Sequence, residues 1–223
     1  IEDVSTLSLD GGIEGSVTIT GRGMYEEILR TIAGQVGPEQ MRMMAEEMVQ
    51  GIHPGARLVD FSVSDYEDLY EPMTLELSYE ADDYALDAEP YTLFSVPAAG
   101  GEFDILSGIL FGRFVGLEER EYPIALGVTL GVEEQGTVTI PEGFEVRNFP
   151  DEVDFEQGAI SLSMKYEFLP SSETGGTPAV RYRRTMGIDD FQISTEDYQA
   201  LKEAVRLAGR SARGEVILMK EEG

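Results

Sequence analysis

Cysteine and tryptophan are absent from this 223-residue chain, histidine occurs once, and three of its sixteen cationic side chains are lysine. Without cysteine there is no disulfide, thiolate nucleophile, Cys-based zinc site or iron–sulfur cluster. The single histidine, His53, excludes His-rich metal sites and leaves one candidate for any His-dependent mechanism. No apolar run approaches the roughly 18 residues of a transmembrane helix, and no signal peptide opens the sequence. The chain starts at Ile1 rather than Met, which reads as a processed or excised piece. Against sixteen cations stand 43 Asp and Glu, a formal net charge of -27. Such a surface repels phosphate, so nucleic acid and anionic membranes are disfavoured as partners.

What is present is ordinary for a globular protein, with 42% hydrophobic and 26% charged residues, and the length suits two domains of about 100 residues each. Acidity is uneven. Residues 1–119 carry 24 acidic and 5 basic side chains, net -19, whereas residues 120–223 carry 19 and 11, net -8. That shift predicts a boundary near Gly116–Tyr122, with an α+β unit over 1–118 and a β-sandwich-like unit over 119–223.

Periodicity predicts a mostly antiparallel α+β protein. Ser16–Thr20 reads as a strand entered from an Asp10-Gly11-Gly12 turn. Tyr25–Ala33 has helical spacing, and a second helix starts at Pro38 with Met41, Met44, Ala45, Met48 and Val49 on one face. Gly51 suits its C-cap. Val59, Phe61 and Val63 alternate with polar residues, as do Met73, Leu75, Leu77 and Tyr79, which predicts half-buried strands. Tyr91–Val96 is a further strand candidate, and Phe103–Val115 is apolar without a clear period. In the second half, the alternating sets are Tyr122 to Leu130, Val138–Ile140, Phe144–Asn148, Ile160 to Phe168 and Val180 to Ile188. Ser194 caps a helix carrying Tyr198, Leu201, Val205 and Ala208 on one face and ending at Gly209. Gly214–Lys220 is a last strand.

The candidate sites are few. His53 sits in Gly51-Ile52-His53-Pro54-Gly55 and reads as a loop residue, with no Gly-x-Ser-x-Gly elbow to accompany it. Gly21-Arg22-Gly23 lacks the third glycine of a dinucleotide fingerprint, and Glu26 and Glu27 would repel a pyrophosphate, so it reads as a tight turn. The clusters Asp65, Glu67, Asp68, Glu71 and Glu80, Asp82, Asp83, Asp87, Glu89 lack the ordered ligands of a calcium loop and read as a solvated face. A carboxylate pair for glycoside hydrolysis depends on a spatial separation that spacing along the chain does not fix. The methionines of the second helix read as core packing. Arg181, Arg183 and Arg184 form the one basic concentration. They read first as cross-strand partners of carboxylates and second as a candidate partner-binding site. No catalytic residue, cofactor or metal ligand is expected.

Several segments resemble a known family. They are Glu119-Arg120-Glu121-Tyr122-Pro123-Ile124, Val138-Thr139-Ile140-Pro141-Glu142-Gly143-Phe144-Glu145-Val146, Phe149-Pro150, Tyr182-Arg183-Arg184, Ile193 to Leu201 and Val216-Ile217-Leu218-Met219-Lys220. With Leu9-Asp10-Gly11-Gly12, Gly15-Ser16-Val17-Thr18, Gly23, Arg30 and Leu69-Tyr70-Glu71-Pro72, their order is similar to the C-terminal β-rich region of bacterial transglutaminase-like proteins. In that family a domain of unknown function comes first and a transglutaminase-like domain second. The resemblance implies a Cys-His-Asp site in the middle domain, so no catalytic residue transfers to a chain without cysteine. It implies a non-catalytic accessory module whose partner is its own upstream catalytic domain, or a protein or glycan ligand, in a periplasmic, cell-envelope or secreted setting. Two other classes stand beside it: a self-contained carboxylate-dependent or metal-assisted hydrolase, and a structural β-module for surface assembly.

Overall fold

The computed structural model describes residues 1–97, 115–212 and 214–220. Most of the apolar segment at 103–115 lies outside them. The chain is mixed α+β with sheets rich in antiparallel pairs. It opens with a hairpin, β1 (Glu2–Leu7) and β2 (Ile13–Thr20), closed by the Asp10-Gly11-Gly12 turn, where Gly11 adopts φ +86°. Helices α1 (Met24–Gln35) and α2 (Pro38–Ile52) follow, with Pro38 opening α2 as expected. Then come β3 (Arg57–Val63), β4 (Thr74–Ala81), β5 (Leu86–Ala88) and β6 (Tyr91–Phe94). After residue 115 the order is β7 (Ile124–Ala125), β8 (Leu130–Thr139), β9 (Phe144–Asn148), β10 (Val153–Gln157), β11 (Ile160–Leu169), the short α3 (Ser171–Thr174), β12 (Ala179–Ile188), β13 (Gln192–Ile193), α4 (Asp197–Ala212) and β14 (Val216–Lys220).

Eight strands form one sheet in the order β10-β11-β12-β8-β1-β2-β4-β3, and β5-β6-β14-β9 form a smaller one. The large sheet draws β1 to β4 from before the Gly116–Tyr122 region and β8, β10, β11 and β12 from after it. Its two halves join where β1 pairs parallel to β8, with Glu2 opposite Gln135 and Val4 opposite Thr137.

Alternation gives the large sheet two unlike faces. One is covered: Val17, Leu75, Leu77, Tyr79, Val138, Ile160, Leu162, Met164, Val180, Tyr182 and Ile188 belong to the core. The other is polar and open, with Glu76, Lys165, Arg181 and Arg183 exposed. On that face Arg181 pairs with Glu167 at 3.3 Å and Arg183 with Glu133 at 2.7 Å, so exposed cross-strand ion pairs line the ladders beside β12. Helix α4 packs on β10 and β11 through an apolar stripe that includes the buried Tyr198, Leu201, Ala204 and Ala208. Ser194 caps it by accepting from the Asp197 N–H at 3.0 Å and donating to the Asp197 carboxylate at 2.8 Å. Helix α2 packs on β3 and β4.

Four local expectations need correction. The register of β3 shifts between Leu58 and Asp60, so Val59 is the bulged residue and is 56% exposed, while Leu58, Phe61 and Val63 face inward. Gly127, at φ +77°, breaks the alternation from Tyr122, so β7 is two residues long and Tyr122 is exposed. Gly51 lies inside α2, whose C-cap is His53. Gly209 likewise lies inside α4, which continues to Ala212.

Candidate functional site

Helices α1 and α2 are amphipathic, yet α1 buries no residue fully and α2 buries only Ala45 and Val49. The reason is a cavity of about 490 Å³ between the helices and the sheet. Helix α1 contributes Tyr25, Ile28, Leu29 and Ile32, and α2 contributes Met41, Met44 and Met48. The floor is Ile19, Val63, Met73 and Leu75, and the rim carries Arg22, Glu2, Glu133 and Gln135. The volume lies within the range of small-molecule sites, about 300–1,000 Å³. The methionines that sequence spacing assigns to core packing are half-buried walls of this cavity. Their flexible thioethers suit a lining that must adapt in shape.

Charge at the rim is unevenly engaged. Glu2 accepts from the Gln135 amide at 3.2 Å, and Glu133 is paired with Arg183. Glu26, in the first turn of α1, is held by Arg30 at 2.6 Å. Arg30 also donates to the carbonyls of Tyr66 at 2.9 Å and Glu71 at 2.7 Å, tying the acidic 65–71 loop to α1. Among the described residues Arg22 has no ion-pair partner. Nine other arginines pair with carboxylates: Arg30, Arg42, Arg57, Arg147, Arg181, Arg183, Arg184, Arg206 and Arg210.

A second polar constellation lies under the covered face, where β12, β8, β1, β2 and β4 run side by side. Asp3 is 2% exposed and accepts hydrogen bonds from Ser5 Oγ at 2.7 Å and Tyr79 Oη at 3.2 Å. Burial raises its pKa to about 7, against the lowering effect of those two hydrogen bonds; Glu134 raises it further and Arg184 lowers it. Arg184 Nη1 lies 3.4 Å from Glu134 Oε2, and both residues are buried. Burial works against the Arg184 charge, and Glu134 with the neighbouring tyrosines outweighs it, so its pKa is raised. Two glycines make room for the tyrosines. A Cβ at Gly15 would stand 2.9 Å from the Tyr79 ring, and one at Gly136 would collide with Tyr182. Asp3 is thus an acid brought near neutrality inside the core.

The arginine trio is split. Arg181 and Arg183 point to the open face, whereas Arg184 is buried in the core. His53 accepts from the Gly55 N–H at 3.1 Å and stands 5.3 Å from the Tyr84 ring, as a residue of the α2–β3 connection. Asp65 and Asp68 accept from backbone N–H groups two residues on, and Arg57 pairs with Glu80 and Asp82. Among the described residues no group of three or more His, Asp or Glu side chains is placed to hold a metal ion. No described helix is long and apolar enough to cross a membrane.

A search of curated proteins and one of solved structures find no match. Residues 105–218, just over half of the chain, match a family described as a domain of unknown function with solved structure, DUF3858. That match carries no link to transglutaminase-like proteins. On its extent, the chain belongs to the DUF3858 family.

Proposed function

We propose that this chain is a non-catalytic accessory module of a bacterial transglutaminase-like protein outside the cytoplasm, which positions the catalytic domain or binds a protein or glycan ligand. In this reading the second half, residues 119–223, is a sandwich-like unit built from β8 to β12 with β14. One contrast carries the reading. An acid tuned near neutrality, Asp3, is buried in the core, while the cavity beneath α1 and α2 is lined mainly by apolar side chains. Catalysis by carboxylates needs the tuned acid within reach of substrate, so the geometry favours binding over turnover. The open polar face of the large sheet offers a broad surface against which a neighbouring domain can rest.

The reading frame upstream of Ile1 supplies the test. It is expected to encode a cysteine-containing transglutaminase-like domain that binds this chain in a calorimetric titration when the two are made separately. A frame without such a domain, or no association at high micromolar concentration, overturns the proposal.

A further inference from the structure

We propose that the cavity beneath α1 and α2 binds the chain of a single-tailed aliphatic carboxylate, with Arg22 at the rim receiving its head group. The inference rests on reading this chain as a binding module and names a ligand class for it. Three observations converge. The walls are mainly aliphatic and thioether side chains, among them Ile28, Ile32, Met41, Met44 and Met48, which offer no hydrogen bonds and so favour an apolar tail. The volume of about 490 Å³ accommodates a tail of medium length. Arg22 is exposed at the rim with no carboxylate partner among the described residues, in a protein where acids outnumber bases 43 to 16.

That last point sets the sign of the head group. Glu2 and Glu133 also border the cavity, but each is engaged, by Gln135 and Arg183. Glu26 is drawn away by Arg30. Arg22 has no carboxylate partner among the described residues, and its planar fork matches a carboxylate, whereas the Ile1 ammonium, which also borders the cavity, is held by the Glu133 carbonyl at 2.7 Å. The net charge of -27 opposes an anion at long range. That field is screened beyond about 8 Å at physiological salt, so the local contact decides.

The test uses the whole chain with 13C-methyl methionine labels and dodecanoate below its micelle concentration. The methyls of Met41, Met44, Met48 and Met73 should shift saturably, while those of the exposed Met43 and the core residue Met164 stay fixed. Affinity should fall roughly fourfold for each methylene removed from the tail. Arg22→Gln should weaken dodecanoate about fivefold and leave 1-dodecanol binding unchanged, which also shows that the variant folds. Met44→Trp, which fills the cavity, should abolish both. Dodecyltrimethylammonium binding as tightly as dodecanoate, an unaffected Arg22→Gln, or no saturable shift at the four methionines overturns the inference. None of these bears on association with a catalytic domain, so the accessory reading stands or falls separately.

Discussion

Arg184 and Glu134 face each other as register partners across β12 and β8, inside the core, with their side chains only 3% and 5% exposed. Two charges are thus held out of water at the centre of the eight-stranded sheet. Removing one partner of a buried pair strands the other, at a cost of about 3–5 kcal/mol. Glu134→Ala and Arg184→Ala should each destabilise by that order in urea unfolding. Replacing both by leucine should cost much less than the sum of the single changes, because two uncompensated desolvations disappear together. Additive losses would show that the two charges do not support each other.

Asp3 gives the fold a pH dependence of definite sign. Its folded pKa, about 7, lies above the ordinary carboxylate value, so the folded state holds its proton more tightly than the unfolded chain. Its contribution is present in full below about pH 4 and lost as pH rises through 7, amounting to a few kcal/mol in order of magnitude. Asp10, Asp82 and Glu203 have lowered pKa values and act oppositely, losing their contribution as pH falls through those values. Between pH 5 and 8 the Asp3 effect should dominate the difference between wild type and Asp3→Asn. The variant's melting temperature should gain on wild type as pH rises, and a constant gap across that range would place Asp3 in a more solvated setting.

The Gly136–Tyr182 contact tests the packing of the polar core. Gly136→Ala inserts a methyl into the Tyr182 ring and should cost about 1–3 kcal/mol. Leu162→Ala, at a site 1% exposed, should cost about 2–5 kcal/mol. Losses below about 0.5 kcal/mol, well under the cost of either packing defect, would put either residue outside the core.

Much of this packing could be read from periodicity. The inward sets on β4, β11 and β12, and the apolar stripe of α4, follow alternation and helical spacing because apolar residues occupy the inward positions except at Arg184 and Ser211. Strand β1 is illegible for the opposite reason. Its inward residues include Asp3 and Ser5, while Val4 points outward at 63% exposure, so its pattern is inverted. Val59 misleads because a bulge changes its face, which depends on the partner strand. The cavity escapes a linear reading because Met41, Ile28, Ile19 and Met73 come from four separate segments. Within one helix, a methionine wall and a methionine core residue look alike.

The acidic surface predicts a salt response. Carboxylates crowd the folded protein more closely than the unfolded chain, and their repulsion is screened over about 10 Å at 0.1 M salt and about 3 Å at 1 M. The melting temperature at neutral pH should therefore rise with NaCl from dilute to moderate concentration. Calcium should add no more than magnesium. A flat or falling trend would mean that exposed pairs such as Arg181–Glu167 and Arg183–Glu133 outweigh the repulsion.

The reading proposed for this chain is binding rather than catalysis. Turnover by the purified chain tests it most directly, with transglutaminase, peptidase and glycoside substrates and divalent metal supplied. No rate above the uncatalysed background is expected for any of them. A measurable rate abolished by substituting one carboxylate, in a variant with unchanged melting temperature, would contradict it.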